Sequence, residues 1–143
     1  MKSKIYGVLT MLAATLALAL PMLNAQSRMV GSVPFGFYAG DKAMTAGSYQ
    51  VKPNDGSVEI LQNVDTDAAA FLLEAVRVQD DNASGPKLVF EKCGNEYFLI
   101  QIWDGTSDTG IQVPRSKHEK ESLVASEGPA NGPEIIVLAM NRE

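Results

Sequence analysis

The chain of 143 residues carries twelve Lys and Arg residues against seventeen Asp and Glu residues, a net charge of −5 at pH 7, and 45% of it is hydrophobic. This length allows one domain with a hydrophobic core. The acidic balance argues against binding to phosphate backbones or anionic lipid. Cys93 is the only cysteine, which excludes an internal disulfide. We expect its thiol to be half-buried at a turn and unreactive, the alternative being an intermolecular bridge.

The N-terminal 25 residues have the layout of a secretory signal peptide. Lys2 and Lys4 precede an apolar run over residues 5–20, and Ala25 offers a small residue for cleavage. This run of sixteen residues, which includes Thr10 and Thr15, is short for a bilayer span. We therefore predict a mature chain of residues 26–143 with no transmembrane segment, exported to the periplasm or the medium. Its ten basic and seventeen acidic residues give a net charge of −7, so we expect no nucleic-acid partner.

The mature chain opens with an alternating run at residues 33–38. Alternation places Val33, Phe35 and Phe37 on one face of a strand. Pro34 has no N–H to donate, so this strand lies at a sheet edge or begins at the proline.

A β-hairpin is predicted next. Residues 48–51 and 57–62 flank the strong turn signal Pro-Asn-Asp-Gly at residues 53–56. The following stretch, residues 68–78, fits either a helix or a strand. We favour a strand from about residue 70, because strands and turns surround it.

A second hairpin, formed by residues 87–92 and 97–103, is the best-defined unit of the sequence. Simple alternation places Tyr97, Leu99 and Trp103 on one face of its second strand. The opposite face then carries Phe98, Ile100 and Ile102. Both faces are apolar, which indicates that both are covered.

A short helix near residues 116–124 is predicted as a cover for this hairpin. Ser116 and Glu119 have the S-x-x-E spacing of a capping box, so the helix begins after Ser116. A helix this short is marginal in isolation and has to dock, and Leu123 and Val124 are its apolar side chains.

The last strand is predicted at residues 134–140, and because residues 135–139 offer no polar face, a central position is expected. About eight strands in hairpin order with one short helix predict an all-β fold. The expected architecture is a compact antiparallel β-sandwich or barrel formed by residues 26–143.

Neither a metal site nor a cofactor is predicted. His118 is the only histidine, which excludes a multi-histidine metal site. The acidic stretches at residues 65–67, 80–82 and 104–108 lack the spacing of an EF-hand loop. They read as turns, which Asp and Asn favour.

Several of these segments resemble a family of small exported bacterial proteins with no known activity. The family pattern is P-F-x-F, then P-A-G-x-Y-x-V, F-x-x-Y-G-x-x-Y-F-L-x-x-I-W and L-P-x-S-x-x-E-K-E. The matching segments are residues 34–37, 45–51, 90–103 and 113–121. Thr45 replaces the proline of the second motif, and Cys93 replaces the tyrosine of the hairpin turn. The resemblance implies export and a single domain, and it implies no activity.

We interpret the mature chain as a non-enzymatic binding or envelope-interaction module. Tyr97, Leu99 and Trp103 are the predicted ligand or partner face, for a small apolar ligand, an envelope protein or a second copy of the chain. The alternative is a small envelope hydrolase with paired carboxylates, for which Glu91 and Glu96 are the candidates.

Overall fold

The computed structural model describes residues 28–54, 58–72, 76–81, 84–126 and 132–143, so the predicted signal peptide lies outside the described residues. The described residues form twelve strands and one helix, α1 (Lys117–Ser126). The strands are β1 (Met29–Val33), β2 (Phe37–Ala39), β3 (Lys42–Met44), β4 (Gly47–Asn54), β5 (Val58–Asn63), β6 (Ala69–Leu72), β7 (Val76–Gln79), β8 (Lys87–Cys93), β9 (Glu96–Trp103), β10 (Thr109–Gln112), β11 (Glu134–Ala139) and β12 (Asn141–Arg142).

The strands form two sheets that are open at their edges. Sheet A has the order β12-β1-β4-β5-β6, and sheet B has the order β11-β8-β9-β10-β7. In sheet B, β2 also pairs with β9 in parallel at Tyr38 and Phe98, and β3 pairs with β2. The all-β prediction is confirmed, and because neither sheet closes on itself, the architecture is the sandwich rather than the barrel.

The core lies between the two sheets. Sheet A contributes Tyr49 and Leu61, and sheet B contributes Phe90 and Leu99, all 1% exposed or less. The Phe37 ring contacts both sides, with its centroid 5.2 Å from Tyr49 and 5.1 Å from Phe90. Each such side chain contributes about 1.5–3 kcal/mol on burial, so this cluster provides the main stabilisation of the fold.

The predicted strand over residues 33–38 is wrong. Val33 ends β1 in sheet A, and Phe37 begins β2 in sheet B. Pro34 lies in the break between them, where its missing N–H removes no ladder bond. Phe35 lies in the same crossing and packs its ring against Phe90, at a centroid distance of 5.1 Å. The alternation of this segment is therefore real, but it spans two sheets.

Both predicted hairpins are confirmed. β4 pairs with β5 in antiparallel register, with Val51 opposite Leu61, and β8 pairs with β9. Gly94 stands at the tip of the second hairpin with a φ of +62°, a conformation that favours glycine. In the ambiguous stretch 68–78 the described residues form strands rather than a helix, β6 in sheet A and β7 in sheet B, and residues 73–75 lie outside the described ranges.

The predicted central position of the last strand is wrong. β11 lies at an edge of sheet B, where β8 is its neighbour. Ile136 and Leu138 pack against the core, whereas Ile135 and Val137 point outward and are each 55% exposed. Apolar residues on both faces indicate burial only when another element covers the second face.

The predicted short helix is confirmed as α1, which extends two residues beyond Val124. The predicted docking through Val124 is wrong, because this side chain is 72% exposed. It packs on the outer face of sheet B against β8. Among the residues that the structure describes, no helix combines the length and the hydrophobicity needed to cross a membrane.

Candidate binding cleft

The three residues of the predicted ligand face do not share a face. Phe90 lies opposite Leu99 and Val89 lies opposite Gln101, so Ile100 is an extra residue that forms a β-bulge in β9. The bulge reverses the alternation beyond it. Leu99 therefore faces the core between the sheets, whereas Trp103 lies on the outer face of sheet B.

Trp103 packs into the outer face of sheet B and is 3% exposed. A Cβ on Gly110 would lie 2.5 Å from the indole ring, so the glycine makes room for the ring. The indole N–H donates to Oε1 of Gln101 at 3.1 Å, and Nζ of Lys87 lies 5.4 Å from the ring centroid. Trp103 thus acts as a packed side chain with a satisfied polar group.

Leu99 is 1% exposed and belongs to the core, so Tyr97 alone of the three residues reaches the surface. Its half-buried ring stacks on Phe35 with centroids 3.9 Å apart, and Nζ of Lys92 lies 5.6 Å from it. A single ring at the sheet margin, already stacked, offers little apolar area to a ligand.

The Ser116 half of the capping box is formed at the start of α1. The Glu119 N–H donates to Oγ of Ser116 at 3.1 Å, and the Ser116 backbone acts to lower the pKa of the Glu119 carboxyl. Glu119 is 3% exposed. Burial raises the pKa of Glu119, the negative charge of Glu91 raises it further, and the Arg115 guanidinium opposes both.

Glu91 is the second buried carboxylate beneath α1, and it is 4% exposed. Nη2 of Arg115 lies 3.3 Å from Oε2 of Glu91, within ion-pair distance, although the contact is not aligned as a hydrogen bond. Oε2 of Glu91 and Oε1 of Glu119 are both buried without a hydrogen-bond partner. Arg115 therefore compensates two buried acidic groups mainly by its charge.

Glu96 belongs to a separate, more exposed network. Its Oε2 accepts a hydrogen bond from Oγ of Ser122 at 2.6 Å, and its Oε1 lies 2.8 Å from Nε2 of His118. The Ser122 hydrogen bond lowers the pKa of Glu96 most, and the His118 contact lowers it next. These bonds fasten α1 to the start of β9.

The strand register places Glu91 and Glu96, the candidate pair of the hydrolase hypothesis, on the same face of sheet B. Glu91 lies under α1 beside Arg115, and both oxygens of Glu96 are engaged. A substrate could reach both carboxylates only if α1 moved away. The structure therefore gives the paired-carboxylate hypothesis no open site at these residues.

A cleft of about 510 Å³ opens elsewhere on the sandwich. It lies between the turn that joins β2 to β3, the edge strand β6, and residues 113–116, which connect β10 to α1. Its floor consists of Ala39, Ala70, Leu72 and Val113, each 3% exposed. The floor is thus apolar and belongs to the core of the sandwich.

The rim of this cleft is polar and carries both positively and negatively charged side chains. Asp41 comes from the turn after β2, Lys42 begins β3, and Arg115 comes from the segment before α1. Nζ of Lys42 donates to the carbonyl of Ala69. The Arg115 side chain is 39% exposed, so its guanidinium borders the cleft while it compensates Glu91.

The sequence alone did not reveal this cleft. Its lining residues come from three distant segments, and none of those segments carries a motif that predicts a ligand. Ser116 is the one residue that both the sequence prediction and the cleft include, and its hydroxyl is occupied by the helix cap. Tyr97, Leu99 and Trp103 are not among the lining residues.

The chain matches no protein-family model, no curated protein and no solved structure. The resemblance to exported bacterial proteins therefore stays a prediction. Within the described ranges, no cluster of three or more His, Cys, Asp or Glu residues could hold a metal ion.

Proposed function

We propose that this protein is a non-enzymatic binding module that acts in the bacterial envelope after export, and that the cleft beside β6 is its binding site. The cleft carries this proposal. Its volume of about 510 Å³ falls within the ordinary range for ligand pockets, and an apolar floor with a few polar groups at the rim is their usual composition. The basic, apolar and small-residue order of the first 25 residues supports the export step.

The floor and the rim of the cleft offer different contacts to a ligand. The floor presents apolar surface, so an apolar part of a ligand gains free energy when it leaves water and contacts this floor. The floor residues are Ala39, Ala70, Leu72 and Val113. Lys42 and Arg115 offer N–H donors and positive charge at the mouth. A ligand with an apolar part and an acidic group would satisfy both, and it needs no catalytic group from the protein.

The anionic fluorophore anilinonaphthalene sulfonate provides the first test, because it joins an aromatic body to one sulfonate. Ala70→Phe adds a ring to the floor of the cleft, and Ala43→Phe adds the same ring at an exposed position of β3 outside the lining. We expect saturable fluorescence enhancement with the native chain and Ala43→Phe, and its loss with Ala70→Phe.

Near-ultraviolet circular dichroism controls for loosely packed states, which bind the same dye non-specifically. Equal titration curves for the three proteins, each with native circular dichroism, would place dye binding outside the cleft and contradict the proposal.

A further inference from the structure

The edge strand β6 presents backbone groups to the cleft. It ends sheet A, and β5 is its one strand neighbour among the residues described. The Asn63 N–H donates to the Ala68 carbonyl, so the backbone of residue 68 faces β5. The backbone N–H and C=O groups of Ala70 and Leu72 face β5 as well, because hydrogen-bonded positions alternate along an antiparallel strand. The N–H and C=O groups of Ala69 and Phe71 therefore point away from sheet A.

The Lys42 side chain supports this orientation independently. Its Nζ donates to the Ala69 carbonyl from the far wall of the cleft, which is feasible only if that carbonyl points outward. Ala69, Ala70 and Leu72 all line the cleft. Ala69 thus brings an outward-facing backbone edge to the cleft, and the backbone of Phe71 continues this row along β6.

We infer that the cleft binds an extended peptide segment carrying a carboxylate, which adds to sheet A as a strand beside β6. This inference rests on the proposed function and names its ligand class. Strand addition to an exposed sheet edge gives affinity through main-chain hydrogen bonds and specificity through side-chain pockets. Here the amides of Ala69 and Phe71 provide the hydrogen bonds, and the apolar floor receives alternate side chains of the peptide.

Lys42 selects an acidic segment. The charged residues of the lining are Lys42, Arg115 and Asp41. The buried Glu91 takes up the Arg115 charge, so Lys42 is the cation with which a ligand carboxylate can pair. Its ammonium group already lies at the peptide edge, where a ligand carboxylate would pair with it. A charged lysine at a sheet edge also discourages non-specific strand pairing in the empty protein.

Amide hydrogen exchange measured by NMR tests the pairing directly. The probe is the blocked pentapeptide acetyl-Thr-Val-Glu-Val-Thr-amide. At a peptide concentration of about ten times Kd, exchange at the Ala69 and Phe71 amides should slow about tenfold. A peptide bound elsewhere would slow exchange only at amides that are already protected, such as those of Ala70 and Leu72, which exchange through opening of the fold. Slower exchange at Ala69 and Phe71 therefore distinguishes strand addition from general stabilisation.

Two N-methylated forms of the peptide separate backbone pairing from side-chain recognition. Each carries methyl groups on alternate amides, so only one form blocks the N–H groups that face β6. We expect that form to bind at least about tenfold more weakly than the other, a difference of 1.4 kcal/mol. Lys42→Ala should weaken the unmodified peptide and leave a probe with glutamine in place of glutamate unaffected.

A variant of the protein tests the same backbone pairing by removing a hydrogen-bond donor from β6 rather than from the peptide. Ala69→Pro removes the outward N–H without removing a bond to β5, so the fold is expected to persist and peptide affinity to fall about tenfold. If this variant unfolds, the methylated peptides still decide the question on the native chain.

The outcomes separate this inference from the proposed function. Dye binding in the cleft without peptide binding would overturn the peptide class and leave the binding module intact. Failure of both probes would overturn both proposals. Peptide binding with unchanged exchange at Ala69 and Phe71, or equal binding of the two methylated forms, would overturn strand addition.

Discussion

At strands β8 and β9 both the inner and the outer face of sheet B are buried, but they are buried by different means. The inner face meets sheet A through Leu88, Phe90, Leu99 and Ile102, and all of these contacts are apolar. The outer face mixes large apolar side chains, Phe98 and Trp103, with the acidic Glu91. The inner face therefore relies on hydrophobic burial alone, whereas the outer face also has to compensate charge.

This difference shows which parts of the molecule depend on specific partners. Any well-packed apolar set of similar volume would maintain the inner face. The outer face depends on individual contacts, such as the capping box and the Arg115–Glu91 pair. Removal of one partner there leaves a buried polar group without compensation, which costs more than the pair contributes.

The largest effect is expected from Trp103→Ala, which tests whether the outer face is core or a partner surface. Because Trp103 is 3% exposed, we expect a loss of about 3–5 kcal/mol in the free energy of unfolding, measured by urea denaturation. Val124→Ala on α1 is the control, since this side chain is 72% exposed and its loss should change stability by less than about 0.5 kcal/mol. Equal small effects for both variants would mean that Trp103 serves a partner rather than the fold.

The same comparison explains how much of the fold could be predicted from the sequence. Alternation and turn residues predict the β4–β5 and β8–β9 hairpins, because both signals act within a few residues. The S-x-x-E spacing predicts the start of α1 for the same reason, and the cap forms between Ser116 and Glu119.

The remaining features depend on contacts between distant segments. The bulge at Ile100 follows from the pairing of β9 with β8, and it moves Trp103 away from the face of Leu99. The edge position of β11 depends on which strands surround it, and its own residues do not encode that. The cleft requires three segments to meet, so residues such as Lys42 gain a role only in the folded chain.

A smaller effect is expected from Glu119→Gln, which removes an acidic charge from the outer face. The pKa of Glu119 is raised in the folded state, mainly by burial, so the charged form destabilises the fold. In the native chain this penalty is absent well below pH 4.5 and grows as the pH rises through the folded pKa. Relative to the native chain, the glutamine variant should therefore gain stability between pH 4 and pH 8 in urea denaturation.

Glu121→Gln is the control for this pH dependence, because Glu121 is exposed on the same helix and pairs with Lys117 at 3.7 Å. Its stability difference from the native chain should be small at every pH. A glutamine variant at position 119 that loses stability as the pH rises would show that the Arg115 charge outweighs burial.

The smallest effect is expected from Glu96→Gln, and its pH dependence has the opposite sign. The pKa of Glu96 is lowered, first by the Ser122 hydrogen bond and then by His118, so the charged form stabilises the fold. This contribution is present above pH 4.5 and is lost as the pH falls through the folded pKa. Because the Glu96 side chain is 36% exposed, solvent screens the effect, and the variant should be only slightly less stable at pH 7.

NMR titration of the Glu96 carboxyl identifies the cause of the lowered pKa. Ser122→Ala removes the hydroxyl that donates to Oε2, so the Glu96 pKa should rise toward its ordinary value. An unchanged Glu96 pKa in this variant would mean that the His118 contact, and not the Ser122 hydrogen bond, lowers the pKa. Opposite pH dependences at Glu119 and Glu96, two carboxylates that join the same helix to the same sheet, would establish that burial dominates at one and hydrogen bonding at the other.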